Sequence, residues 1–293
     1  MVLFFRKTFK GSCNCSFPKF CDKNKFTKNQ ATEAMDMSKC ISETASLLEK
    51  QLVHSVYEEI AGHFSDTRHK PWPRVAQFVT SLPANELLLD LGCGNGKYLG
   101  LDHRWELGAD YSQNLLQISS ARGHPSVRCD LLSVPIRDGV CGGVICIAAL
   151  HHLASHSRRL AAITEIARVM RTGARALVYV WAKEQKKNED MSSYLKQNKK
   201  NFKQKNDEAG KTPEIGEFGL PVHVNRTQFQ HQDVLVPWKT KKNEEGVDKE
   251  WKRFYHVFEA GELESLVEEC QSLVVIESYY DQGNWCCIFE KQI

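Results

Sequence analysis

No apolar run in this chain approaches the ~18 residues that a membrane-crossing helix requires. The Met1–Phe5 cluster is cut off by Arg6 and Lys7 before it reaches the length of a signal-peptide core. Neither a membrane location nor secretion is expected. An excess of one charge is missing too. In 293 residues, 39 Lys and Arg against 36 Asp and Glu leave a formal net charge of only +3. No global basic field marks a polyanion partner, so any nucleic-acid contact has to come from local patches. The cysteines lack a disulfide framework: Cys93, Cys129 and Cys146 sit in or beside apolar runs, and adjacent Cys286 and Cys287 would face opposite sides of a strand. A reduced intracellular protein is expected. Cys13, Cys15, Cys21 and Cys40 match no zinc-ligand spacing, and no metal centre is expected.

With 42% hydrophobic and 26% charged residues, the chain has an ordinary globular composition and room for one large α/β domain or two small ones. Residues 1–44 show no periodic apolar pattern. The first 21 carry Arg6, Lys7, Lys10 and Lys19 and no acid, which resembles a mitochondrial presequence. The reading preferred is a disordered tail, followed by a single domain over 45–293. Val53, Val56, Tyr57, Ile60 and Phe64 follow helical spacing. Lys70-Pro71-Trp72-Pro73-Arg74 then breaks the chain, and Val75–Leu82 reads as a short helix. A helix over about 157–170 leads to a strand at Ala176–Trp181. Lys- and Asn-rich residues 183–228 read as a flexible insertion, and 239–249 as a second polar loop. Val234–Trp238 returns to apolar order, a helix is expected over about 261–270, and the chain closes with two strands, Leu273–Tyr279 and Trp285–Glu290.

Leu87–Leu91 reads as a buried parallel strand that runs into Gly92, Gly94 and Gly96 at alternate positions, preceded by Asp90. The glycines let the backbone turn and approach a ligand closely. A dinucleotide site would show G-x-G-x-x-G without that acid. A carboxylate here suits a cofactor bearing an ammonium group and would repel a pyrophosphate. Two more acids end apolar segments, Asp110 after Trp105–Ala109 and Asp130 after Val127–Cys129, and a further buried run, Gly143–Leu150, precedes His151-His152. An acid at the tip of the second strand is placed to accept both ribose hydroxyls.

This pattern resembles the class I S-adenosylmethionine-dependent methyltransferases. The resemblance implies a doubly wound, mostly parallel seven-stranded α/β sheet, Rossmann-like, with a final antiparallel hairpin. It also implies S-adenosylmethionine held by Asp90, Gly92, Gly94, Gly96, Asp110, Asp130 and the Leu131 amide, with Tyr57 on a leading helix closing the site.

Further segments narrow the match: His54–Ala61 with Phe64-Ser65, Lys70–Pro73, Ala149–Leu153 with Arg158-Arg159, Tyr179–Ala182 with Glu184-Gln185, Gln232–Trp238, Arg253–His256 with Gly261–Leu263, and Gly283-Asn284-Trp285. Together they closely resemble the eukaryotic tRNA wobble-uridine methyltransferases that make 5-methoxycarbonylmethyluridine, over about residues 48–290. The resemblance implies methyl esterification of a 5-carboxymethyl group on uridine 34 of the tRNA anticodon. A carboxylate with a pKa near 4 is already ionised at neutral pH, so the site has to align and desolvate rather than remove a proton. His151, at the end of the fourth strand, Arg253 and His256 are expected to orient the carboxylate, with Arg74, Trp181, Trp238 and Tyr255 binding the rest of the substrate. The family's small zinc-binding activator subunit, which pairs along a sheet edge, and a cytoplasmic or also nuclear location complete the expectation. Two other readings stay open: a methyltransferase acting on a small or protein carboxylate, and a non-catalytic cofactor-binding scaffold.

Overall fold

Strands that are apolar on both faces are satisfied only in a sheet covered on both sides. In the computed structural model, β1 (Leu87–Leu91) and β4 (Cys141–Ile147) lie side by side at the centre of such a sheet, β4 buried along its whole length. The structure describes residues 42–67, 70–102, 105–187, 190–196, 214–240 and 249–292. Most of the expected N-terminal tail with its four cysteines, the Lys-rich centre of the insertion and residues 241–248 of the second polar loop lie outside them.

The sheet has seven strands in the order β10-β11-β5-β4-β1-β2-β3, with β2 at Glu106–Asp110, β3 at Ser126–Arg128, β5 at Met170–Trp181, β10 at Leu273–Asp281 and β11 at Asn284–Lys291. Strands β1 to β5 are mutually parallel, and β11 runs antiparallel to both β5 and β10. This is the seven-stranded, mostly parallel layout with a closing hairpin that the sequence implies. The chain leaves β1 toward β2 on one side and reaches β4 on the other, so a crevice opens at the carboxyl ends of β1 and β4, where ligands of such sheets bind. Strand β5 starts earlier than expected. Arg171–Ala174 is a bulge inside it: the pairing jumps from Cys141↔Met170 to Gly143↔Arg175, and Gly173 takes φ +74°.

A continuous helix opens the described domain. It runs α-helical over 42–49 (α1), passes through a π-helical stretch at Lys50–His54 and continues as α2 (Ser55–Asp66). Pro73 begins α3 (Pro73–Ser81), where its missing N–H costs no helical bond. The Ser112 and Ser155 hydroxyls cap α4 (Gln113–Ala121) and α5 (His156–Val169) by accepting from Leu115 and Arg158 amides. One face of the sheet packs Ile163 and Ile166 of α5 with Leu263 and Leu266 of a C-terminal helix at Glu262–Glu268; the other packs Val75, Phe78 and Val79 of α3.

A separate two-stranded ribbon, β8 (Asp233–Lys239) with β9 (Glu250–His256), stands over the crevice. Leu48 and Leu52 of the N-terminal helix pack on Leu235 and Phe254 of the ribbon and on Leu220. Burying a side chain such as Leu48 fully contributes about 1.5–3 kcal/mol. Ordered chain extends further into the expected insertion than composition suggested. Lys186–Lys187 (β6) pairs with Asp190–Met191 (β7), a single turn, α6 (Ser193–Lys196), follows, and Gln185, Ser192, Leu220 and His223 are buried. The helix at Glu262–Glu268 is α7.

Candidate functional site

The glycine turn is built by exclusion. Gly92 has φ +77°, and a Cβ there would come within 2.4 Å of the Ala149 Cβ, so only glycine lets β1 pass so close to the end of β4. Gly94 leaves its amide free to donate to Asp110 Oδ2 at 2.8 Å, while the Ser112 amide donates to Oδ1 at 2.8 Å. These two bonds fix the Asp110 carboxylate at the tip of β2. Burial pushes its pKa up, and the Ser112 and Gly94 amides oppose that rise by stabilising the anion. Gly92, Gly94, Asp110, Asp130 and Leu131 all line one cleft of about 1370 Å³. The Asp130 carboxylate closes its own turn by accepting from the Leu132 amide at 2.9 Å.

Two expected cofactor residues sit behind this wall rather than in it. Gly96 does not line the cleft: a Cβ there would meet Ser119 Oγ at 2.5 Å and His124 at 2.9 Å, so it serves the packing of α4. Asp90 is 1% exposed, and neither carboxylate oxygen has a hydrogen-bond partner among the described residues. Burial first, then the Asp110 charge, pushes its pKa to about 8, with Lys97 pulling the other way. Asp90 does not line the cleft, so it meets the site through the glycine turn and not by contact.

The ribbon forms the opposite end of the cleft. Arg253 of β9 is only 4% exposed and lines the cleft; its guanidinium lies 4.6 Å from the Trp238 ring and 5.1 Å from the Tyr255 ring. Its hydrogen bond goes to the Tyr57 hydroxyl at 3.3 Å, its Nε has no partner, and no carboxylate pairs with it among the described residues. Tyr57 of the leading helix therefore meets the ribbon end of the cleft. His151 falls in a 3-10 turn, Leu150–His152, just beyond β4 rather than ending the strand. Its Nδ1 accepts the Trp181 amide at 3.1 Å, and its ring stacks on Tyr255 at 4.9 Å. Burial and the neighbouring His152 and Arg253 hold its pKa well below the ordinary value. The ring is thus neutral, with its proton on Nε2. Trp181, Trp238 and Tyr255 all line the cleft with it.

The remaining two expected site residues lie elsewhere. His256 is clamped between Asp233 Oδ1 at 2.7 Å and Glu262 Oε1 at 2.6 Å, outside the cleft, so it fastens the ribbon to α7. Alternation along β9 explains this, because neighbouring residues point to opposite faces and only part of the Arg253–His256 run can face one ligand. Arg74 pairs with Glu277 at 3.1 Å and lies over Tyr279, at the sheet's β10 edge.

Several cleft residues were missed. His152 donates from Nδ1 to the Phe254 carbonyl at 2.8 Å and accepts the Tyr57 hydroxyl at Nε2. Its presence beside His151 was the available signal. Tyr194, His223, Asn225 and Arg226 also line the cleft. They were hidden in a stretch that composition assigned to a flexible insertion.

Comparison with known proteins bears on the family and the fold. Residues 89–178 match a family model described as a methyltransferase domain. The chain is 41% identical to the tRNA (carboxymethyluridine(34)-5-O)-methyltransferase ALKBH8 of Macaca fascicularis, over 98% of this chain and 50% of that protein. It is 43% identical to the Xenopus tropicalis protein of the same name, over 98% of this chain and 47% of that one. The tRNA (carboxymethyluridine(34)-5-O)-methyltransferase of Schizosaccharomyces pombe is 35% identical over 83% of this chain and 97% of its own length. The chain thus spans about half the length of the first two relatives and nearly all of the third. Among solved structures, an S-adenosylmethionine-dependent methyltransferase from Clostridium acetobutylicum superposes with a TM-score of 0.53 at 10% identity, over 81% of this chain and 97% of that one, a likeness of fold.

Proposed function

The chain belongs to the tRNA (carboxymethyluridine(34)-5-O)-methyltransferase family, and from that premise we propose that it methyl-esterifies 5-carboxymethyluridine at the wobble position of tRNA with S-adenosylmethionine as donor. The observation that carries the acceptor side is Arg253. A guanidinium that is buried, walled by aromatic rings, unpartnered at Nε and paired with no carboxylate among the described residues calls for an anion. A uridine-linked carboxylate meets that demand, and Trp181, Trp238 or Tyr255 offers a face for the splayed base.

The residues present fit the donor. Asp110 presents a fixed carboxylate for the ribose hydroxyls, Gly94 lines the same cleft with φ +54°, and the buried Asp90 carboxyl lies behind the turn, where a bound cation would favour its ionised form. When bound, S-adenosylmethionine supplies an electrophilic methyl group on sulfur. The protein's share is to hold the acceptor carboxylate between Arg253 and the neutral His151 Nε2–H, and to keep water from it with the surrounding rings. No proton has to be removed, because the nucleophile is already ionised. The same reading carries the small zinc-binding activator as partner and a cytoplasmic or also nuclear location.

The test is methyl transfer to tRNA containing 5-carboxymethyluridine, with the activator present and the product read by nucleoside mass spectrometry. Appearance of 5-methoxycarbonylmethyluridine is expected. Transfer to a small carboxylic acid but not to this tRNA would overturn the substrate assignment.

A further inference from the structure

Arg226 adopts φ +66°, a left-handed conformation that costs a side-chain-bearing residue free energy and persists only where its surroundings over-determine it. Here they do. Asn225 Nδ2 donates to the Pro237 carbonyl at 3.0 Å, and the Thr227 hydroxyl donates to the Val224 carbonyl at 2.7 Å, closing the turn on both sides of Arg226. The Tyr194 hydroxyl, 3.4 Å from Asn225 Oδ1, ties the turn to α6. The turn thus holds an exposed arginine at the mouth of the cleft, whereas Arg253 lies buried in the same cleft. Two guanidiniums at two depths suit a ligand with two anionic groups. The carboxylates at this end, Glu214 and Glu250, are paired with Lys252 and Lys239, so they do little to repel one.

We infer that Arg226 is the backbone anchor for the modified nucleotide, holding a phosphodiester next to the wobble uridine while the 5-carboxymethyl group reaches Arg253. The inference rests on the tRNA reading above. A nucleotide entering base first places its carboxylate deep and its phosphate at the mouth, which is the order of the two arginines. The planar guanidinium fork can bind two phosphate oxygens at once.

Arg226→Gly removes the charge and relaxes the left-handed residue, so the fold is retained; Arg226→Lys keeps the charge and the strain. Binding of carboxymethylated tRNA is measured across salt concentrations for both variants, together with steady-state methyl transfer and S-adenosylmethionine affinity. Arg226→Gly is expected to raise KM for tRNA roughly tenfold near physiological salt and to flatten the log–log salt slope by about one, with the loss in KM rather than kcat. Cofactor affinity is expected to hold, and Arg226→Lys to recover most of the binding. The free nucleoside 5-carboxymethyluridine, which has no phosphate, is expected to bind wild type and Arg226→Gly alike. An unchanged salt slope in Arg226→Gly, or an equal loss toward the nucleoside, overturns the assignment. The slope comes from binding alone, so it decides the role of Arg226 even if wild-type protein transfers no methyl group. Absence of transfer would overturn the reaction reading instead.

Discussion

Tyr57 donates its hydroxyl proton to His152 Nε2 across 3.0 Å, joining residues 95 positions apart. The direction is set by the other ring nitrogen, since Nδ1 donates to the Phe254 carbonyl at 2.8 Å and burial pushes the His152 pKa down to about 3. The Tyr57 oxygen then accepts from Arg253 Nη1, so the leading helix, the turn after β4 and the ribbon meet at one phenol.

Tyr57→Phe removes that junction while keeping the ring. It leaves His152 Nε2 without its donor and Arg253 without its hydrogen bond, a loss worth about 1–2 kcal/mol. The expected result is a roughly tenfold fall in kcat/KM for tRNA, with S-adenosylmethionine affinity within twofold of wild type by calorimetry. Equal losses in both would place Tyr57 in the cofactor site instead.

Arg253→Ala removes the charge expected to meet the acceptor carboxylate. The cost is about 1.5–3 kcal/mol, or ten- to a hundredfold in kcat/KM. Arg253→Lys restores the charge without the planar fork and should recover only part of it. Wild-type rates in folded Arg253→Ala protein would remove the residue from the acceptor site.

Asp90 ties cofactor binding to pH. Its folded pKa of about 8 lies above the ordinary 3.8, so the native state keeps a proton that the unfolded chain releases, and stability falls as pH rises from about 4 to 8. Asp90→Asn removes that loss and is expected to raise the thermal midpoint of the ligand-free protein at pH 7. A bound cation favours the ionised carboxylate, so S-adenosylmethionine binding to wild type should release a proton at pH 7. Calorimetry in buffers of different ionisation enthalpy measures this; release that persists in Asp90→Asn would assign it to another group.

The His256 clamp has the opposite acid partner. Burial works against the charged ring, but Asp233 and Glu262 outweigh it and hold the His256 pKa above 6.5. Its stabilisation is therefore full below about pH 6.5 and lost as pH rises through the folded pKa. Glu262, held below 4.5 by the same ring against its own burial, loses its share as pH falls through its folded pKa. His256→Gln is expected to cost about 3 kcal/mol at pH 6 and less at pH 9. Chemical denaturation at the two pH values reads the difference, and an equal cost at both would show that the ring is neutral in the folded protein.

The sequence by itself determined the sheet and the place of the glycine turn and Asp110 at its carboxyl edge. Apolar runs such as Leu87–Leu91 and Gly143–Ile147 are satisfied as covered parallel strands, and a strand-end acid such as Asp110 is delivered to the crevice by chain order. The glycines were legible as a turn, but which of them faces a ligand depends on the packing neighbour: Ala149 beside Gly92, and Ser119 and His124 behind Gly96. The acceptor side was decided by tertiary structure. Arg253 and His256 are close in sequence, yet one meets the aromatic wall and the other two carboxylates, because the partners come from distant elements. Likewise, Arg226 and Tyr194 sit in polar sequence with no periodic pattern. Only the hydrogen bonds of a folded turn against β8 bring them to the cleft.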